Sequence, residues 1–214
     1  MSYSQLFVIN KELKAEYVEE FQNSWLFPIP IFRHLVNKYA SEEEREKARQ
    51  FNKSLNVDGI DEKEPINPLT FFMFDPGNIN FDTINSAINN STSLVDRIGW
   101  ELVNQQMFHS KDKDFIADAI LVLQQKCNGD LERFTKIADE IKSIDSEKCP
   151  YFIFKNNTID DGVEKYFRKY NEETNEEESI SLKEYQDKLG FSLIVIENGK
   201  MSFADPLQGV CNAE

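Results

Sequence analysis

Three apolar stripes at helical spacing follow one another between Ser93 and Ile141, and at Pro150 the pattern gives way to residues that are apolar at successive positions. That change of period limits the chain to folds that join a helical layer to a sheet. Val95, Ile98 and Leu102, with Trp100, Val103 and Met107 on an adjoining face, predict a helix apolar over much of its circumference and so deeply buried. Phe115, Ile116, Ala119, Ile120 and Leu123 form the inward face of the next, which starts at Asp112 or Lys113 and stops at Gly129. Asp130 caps a third, with Leu131, Phe134, Ile137, Ala138 and Ile141 inward. Pro150-Tyr151-Phe152-Ile153-Phe154 then has the composition of a central strand covered on both faces.

The flanking regions read as follows. Leu6 to Ile9 is a short buried strand, and Leu13, Tyr17, Val18 and Phe21 recur at helical spacing. Beyond Pro28 and Pro30, the residues Ile31, Phe32, Leu35, Val36 and Tyr39 form another helical stripe. Ser41 with Glu44 resembles a capping box opening a charged helix. Ser54 to Pro68 reads as a surface loop, Leu69 to Phe74 as a strand or a buried helical turn, and Asp82 as the cap of a short helix through Ile88. A helix is expected from Asp160 to Tyr170, with Val163, Tyr166 and Phe167 as its apolar side. Residues 171–180 carry Glu172, Glu173, Glu176, Glu177 and Glu178 with hardly an apolar side chain, which predicts a mobile acidic loop. Ser181 and Glu184 repeat the capping-box spacing, and Asn198-Gly199 between two apolar runs is the strongest hairpin signal in the chain.

The fold class expected from these elements is α+β: one helix-rich domain over residues 1–214, with a small, mainly antiparallel sheet built from strands near Leu6, Tyr151, Leu193 and Met201. At 214 residues and 40% apolar composition it needs no disulfide or metal to stay folded. Cys127, Cys149 and Cys211 are odd in number and far apart, as in a reducing compartment. With no membrane-length apolar run and no basic segment ahead of an apolar one at Met1 to Asn10, a cytoplasmic location is expected.

The formal net charge is −14, and no Lys/Arg cluster exceeds two residues. Such a field repels phosphate backbones and anionic lipid, so direct nucleic-acid and membrane binding are not expected. The acidic surface either keeps the protein soluble or engages a basic surface on another protein.

Catalytic signatures are sparse, and no catalytic residue, cofactor or metal is assigned. His34 and His109 are the only two histidines, and neither has an adjacent partner in sequence. The cysteines fall at helix, strand and tail boundaries, and no two Cys or His residues stand at zinc-ligand spacing. Asp112, Asp114 and Asp118, or Asp160-Asp161 before Gly162, could hold a hard cation or an acid–base pair. The calcium-loop register fails at Ile159 and Arg168, so Asp112, Asp160 and Asp161 read instead as helix caps. For partner binding the candidates are Glu172, Glu173, Glu176, Glu177 and Glu178, with Trp25 and Phe27 in the run Trp25-Leu26-Phe27-Pro28-Ile29-Pro30. That run is a hot-spot patch if it lies on the surface and core packing if it does not.

Three stretches resemble a set of uncharacterised accessory proteins encoded by phages and prophages of Gram-positive bacteria. They are Asn23 to Phe27, Asp96 to Glu101 continuing through Asn104-Gln105-Gln106 and Lys111 to Ala117, and Pro150 to Asn156 continuing through Asp161-Gly162-Val163. The resemblance implies no particular activity; its context implies a small acidic protein that binds and disables a host or defence protein. The expected function is accordingly a non-enzymatic intracellular binding module with a basic partner. The alternatives are an immunity or antitoxin-like protein that neutralises a basic toxin, and a carboxylate/His-based metal-assisted hydrolase or nucleotide-processing enzyme.

Overall fold

A computed structural model describes residues 3–23, 26–46, 50, 81–157, 167–183 and 192–206. Strands β1 (Tyr3–Ile9) and β2 (Ala15–Gln22) open the chain, followed by α1 (Pro28–Tyr39). Then come α2 (Phe81–Asn89), α3 (Leu94–Val103), β3 (Met107–His109), α4 (Lys113–Cys127), α5 (Leu131–Ser143) and β4 (Tyr151–Asn157). Strands β5 (Arg168–Asn171) and β6 (Glu176–Ser179) form a separate two-stranded ribbon, and β7 (Leu193–Glu197) and β8 (Lys200–Ala204) close the chain.

The architecture is α+β, but the sheet is neither small nor of one kind. Among the described residues it has six strands in the order β2-β1-β4-β3-β7-β8, and it is mixed, because β3 and β7 run parallel. All four strands expected from the sequence lie in it, and β2 and β3 are additional.

Side-chain alternation along the strands sorts the apolar residues onto two faces. Leu6, Val8, Phe108, Phe152, Phe154 and Ile194 point to the helices and form the main core with Phe27, Ile31, Leu35, Ile98, Ile116, Ile120 and Phe134. Phe7, Ile9, Met107, Tyr151, Ile153 and Leu193 point the other way and are covered by Phe167 and Leu182. β4, between β1 and β3, is buried continuously from Tyr151 to Lys155, which is why its sequence carries no polar alternation.

Helix termini follow their local chemistry. Ser93 Oγ accepts from the Asp96 amide at 3.3 Å, and Asp130 Oδ1 accepts from the Arg133 amide at 2.7 Å. The Ser41–Glu44 box closes reciprocally, at 2.7 and 3.2 Å. The two prolines before Ile31 do not interrupt α1; they occupy its first turn, where a missing N–H costs nothing. The Asn198-Gly199 turn forms as expected, with φ of 50° and 72° joining Glu197 to Lys200.

Four expectations are corrected. Of the stripe Leu13, Tyr17, Val18, Phe21, the last three lie on strand β2 and Leu13 precedes it; the register with β1 shifts between Leu6 and Phe7 and leaves Val18 bulged out. Tyr17 therefore packs on Phe7 on one face while Phe21, four residues on, packs on Phe154 on the other, and the bulge imitates a helical period. Met107 belongs to β3 and not to the preceding helix, which ends at Val103. Gln105 is left-handed (φ 58°), and the amides of Gln105 and Gln106 donate back to the carbonyls of Leu102 and Glu101. Of the helix expected at 160–170, residues 168–170 are strand β5 and 158–166 lie outside the described residues. Phe115 and Leu131, expected inward, are 46% and 63% exposed, since the buried stripes run through Ile116 and Ile120 and through Phe134 and Ile137. The loop expected over 54–68, the strand or helical turn at Leu69 to Phe74 and the capping residue Glu184 also lie outside the described residues.

α3 meets α1 and α4 at Gly99, where an added Cβ would stand 2.8 Å from Cδ1 of Leu123 and 3.1 Å from Cγ2 of Ile31. Gly99→Ala gains about 1 kcal/mol of helix propensity. Both neighbours are fully buried, and forcing them apart costs about 1–3 kcal/mol. A lower urea midpoint with unchanged slope is the expected outcome, and a midpoint at or above that of the parent chain would show that the three-helix contact is loose.

Candidate functional site

The acidic stretch is folded into the β5–β6 ribbon and is not the loop expected over 171–180; only residues 172–175 form a turn. Asn171 organises that turn. Its Oδ1 accepts from the amides of Glu173 and Thr174 at 2.9 and 3.3 Å, and its Nδ2 donates to Glu178 Oε1 at 2.6 Å. Asn175 then takes the left-handed conformation, φ 58°.

The ribbon is fixed at its base. The Ile180 amide donates to the Phe167 carbonyl, and Phe167, almost fully buried, packs edge-on against Phe7 with centroids 5.6 Å apart. The Leu182 amide donates to the Leu13 carbonyl, and Ser181 bridges to Lys14. Of the partner-binding candidates, Glu172, Glu173 and Glu176 are exposed, Glu178 is half-buried, and Glu177 is a strand residue opposite Tyr170. The carboxylates of Glu172, Glu173 and Glu176 make no ion pair with any described residue.

The second candidate patch does not assemble on the surface. Phe27 is 1% exposed, wedged edge-on between Phe134 and Phe154 with both ring centroids at 4.9 Å, so it takes the core alternative; Trp25 lies outside the described residues.

The sequence-selected chemical groups are dispersed. His34 stands on α1, with burial lowering its pKa against the pull of Asp96. His109 is at the end of β3 against the Tyr151 ring, its Nδ1 3.4 Å from the Lys111 amide, and burial lowers its pKa as well. Asp112 does not cap α4 through its side chain. Burial raises its pKa, only partly opposed by Lys111 and the Ile196 backbone of β7. Asp118 pairs with Lys142 at 2.7 Å. Cys127 and Cys149 are free thiols whose pKa values burial raises, which opposes thiolate reactivity. Cys211, Asp160, Asp161 and Gly162 lie outside the described residues. Among the described residues no three His, Cys, Asp or Glu side chains are grouped to hold a metal ion.

Three buried charges were not singled out by the sequence. Asp96, with a fully buried side chain, accepts from Lys38 Nζ (2.5 Å), Tyr39 Oη (2.9 Å) and Lys126 Nζ (2.9 Å), and so ties α1, α3 and α4 together. Burial alone would raise its pKa, but the two ammonium groups and the phenol outweigh burial and hold it at about 2. Glu101, 3% exposed, is pushed up to about 7 by burial, with Arg97 and Asn89 only partly opposing, and its Oε1 has no hydrogen-bond partner. Lys155 on β4 is brought down to about 8 by burial. A lone Asp, Glu or Lys inside a segment of ordinary polarity carries no sequence mark of burial.

No helix among the described residues is long and apolar enough to cross a membrane. Comparisons with protein families, with curated proteins and with solved structures return no match.

The two buried acids give opposite pH responses. Asp96 has a depressed pKa, so its contribution is complete above pH about 4 and is lost as the pH falls through about 2. Asp96→Asn is expected to cost about 2 kcal/mol at pH 7 and to remove that acid-limb loss. Glu101 has a raised pKa, so the folded state is most favoured below pH about 4.5 and loses up to about 3 kcal/mol as the pH rises through about 7. In urea titrations at a series of pH values, Glu101→Gln is expected to flatten the decline between pH 5 and 7.5. An unchanged decline would show that Glu101 is ionised and solvated.

Proposed function

We propose that the chain is a non-enzymatic binding module that engages a partner protein through the acidic β5–β6 ribbon, acting inside the bacterial cell as a phage or prophage inhibitor of a host or defence protein. The observation that carries this reading is the set of exposed carboxylates at Glu172, Glu173 and Glu176, which pair with no described residue, on a ribbon anchored to the second core.

Folding costs little at such a surface, because each carboxylate stays in water, but the charges stay close together on a defined scaffold. Several like charges held in one place attract a basic face at long range and raise the association rate. A solvated acidic tail would keep the protein soluble equally well without ring packing at Phe167 or a backbone bond to Leu13. The phage setting rests on the resemblance of Asn23 to Phe27, Asp96 to Ala117 and Pro150 to Val163. A basic toxin is a partner of the same chemistry, and co-expression with a toxic neighbouring gene separates it from a host target.

The test is affinity capture from lysate of a Gram-positive host, with the parent chain and with a variant in which Glu172, Glu173, Glu176 and Glu178 are Gln. One protein recovered in stoichiometric amount by the parent, released by salt and absent from the variant capture, is the expected result. Identical recoveries with both chains, or none at either low or physiological salt, would overturn the reading.

A further inference from the structure

Strand β2 ends the sheet: it pairs with β1 on one side and, apart from a single bridge, with no described residue on the other. That bridge is Lys14 to Ser181, just ahead of β2. There the chain adds its own segment 180–182 antiparallel to the outer edge, with the Leu182 amide donating to the Leu13 carbonyl. One residue pair later the segment leaves to form the β5–β6 ribbon, and the outer edge from Glu16 to Gln22 continues without a partner among the described residues. The edge therefore accepts a strand at its first position and offers backbone donors and acceptors beyond it.

The side chains along that edge define what can lie there. Glu16 accepts from the neutral Asn10 amide at 2.7 Å and Glu20 from the neutral Gln5 amide at 3.2 Å, and neither forms an ion pair with a described residue, whereas Glu19 pairs with Lys136 at 3.0 Å. The ribbon acids begin within a few residues of the bridge, at Glu178 and Glu176. A second copy of this strand would bring carboxylates against carboxylates, and the bulge at Val18 further disfavours a long flat pairing with itself. A basic strand meets no such repulsion.

We infer that the outer edge of β2 is a strand-addition site, at which an extended, lysine- or arginine-rich segment of the partner protein continues the sheet under the acidic ribbon. The inference rests on the reading of the chain as a binder of a basic partner and adds the mode of docking. Backbone hydrogen bonds to Glu16–Gln22 supply the register, and Glu16, Glu20 and the ribbon carboxylates supply the selection for positive charge. The exposed Tyr17, 47% accessible on the edge, offers its ring to the stem of a lysine or arginine.

The probe is an octapeptide of alternating lysine and threonine, compared with the same peptide N-methylated at alternate residues, titrated into the isotope-labelled full chain. Methylation leaves the charge and removes the hydrogen-bonding edge. Amide exchange should slow within Glu16–Gln22, and the methylated peptide should bind about tenfold more weakly or worse. Glu16→Lys with Glu20→Lys should weaken binding of the unmethylated peptide, and because the methylation comparison uses the unaltered protein, it does not depend on how that variant folds. Equal binding of the two peptides, or shifts confined to 168–179, would overturn strand addition while leaving the ribbon as an electrostatic binder. Failure of both peptides to bind would overturn the edge as a basic-strand site, and the binding-module reading would then stand or fall on the lysate capture alone.

Discussion

The double burial of β4 is the constraint on which the rest of the structure depends. Tyr151 to Lys155 lies between β1 and β3, with Phe152 and Phe154 against the helices and Tyr151 and Ile153 against the second core. A strand in that position has no face to give to water, so each neighbour must supply both a ladder and an apolar cover. β1 does so over seven residue pairs, and β3 over three. The helices follow from the first face: Phe27, Phe134 and Phe154 meet edge-on, an arrangement worth about 0.5–1.5 kcal/mol per pair beyond burial, and this locks the start of α1 and the body of α5 to the same point on the sheet. The ribbon follows from the second face, because Phe167 and Leu182, which cover it, bracket residues 168–179 and bring the acidic segment onto the sheet.

What could be read from the sequence was whatever has a local cause. The helix cap at Asp130, the box at Ser41 and Glu44 and the turn at Asn198-Gly199 depend on residues within three positions, and each is found as read. The apolar runs at Leu6 and Tyr151 identified strands because burial on both faces removes any helical alternation. What could not be read depends on partners distant in the chain. The bulge at Val18 turned a two-residue period into an apparent four-residue one, and only the register with β1 reveals it. The end of α3 was hidden because a glutamine, not a glycine, takes the left-handed position. The acidic segment reads as a loop because strand formation there is driven by its flanks and by Asn171, not by apolar residues of its own.

The candidate site divides in the same way. Glu172, Glu173 and Glu176 could be found by charge alone, since exposure is the default for carboxylates. Phe27 could not be placed, because a proline-flanked aromatic run is compatible with either core or surface, and the choice was made by Phe134 and Phe154. Asp96, Glu101 and Lys155 are the reverse case: ordinary residues whose character comes only from what surrounds them. Two lysines and a tyrosine keep Asp96 charged inside the helical layer, while Glu101, with Arg97 and Asn89 as weaker compensation, takes up a proton more readily.

That difference bears on where the net charge of the molecule acts. Much of the cationic charge on the helical side is engaged in place: Lys38 and Lys126 on Asp96, Lys142 on Asp118, Lys136 on Glu19, with Arg97 donating to the Met201 carbonyl and Lys113 to that of Ile144. On the β2 edge, by contrast, Glu16 and Glu20 are met by neutral amides, and on the ribbon three carboxylates meet no described cation. The excess of acids is not confined to that side, since Asp114, Asp139 and Glu140 on the helices also make no ion pair with a described residue, but at β2 the uncompensated carboxylates stand beside the outer strand edge. The exposed pairs among these, Lys142 with Asp118 and Lys136 with Glu19, add about 0–1 kcal/mol each to stability, so they matter less for the fold than for the field it projects. Within a Debye length of about 8 Å at physiological salt, a basic strand approaching the edge of the sheet would meet Glu16 and Glu20 first, whatever charge the rest of the molecule carries.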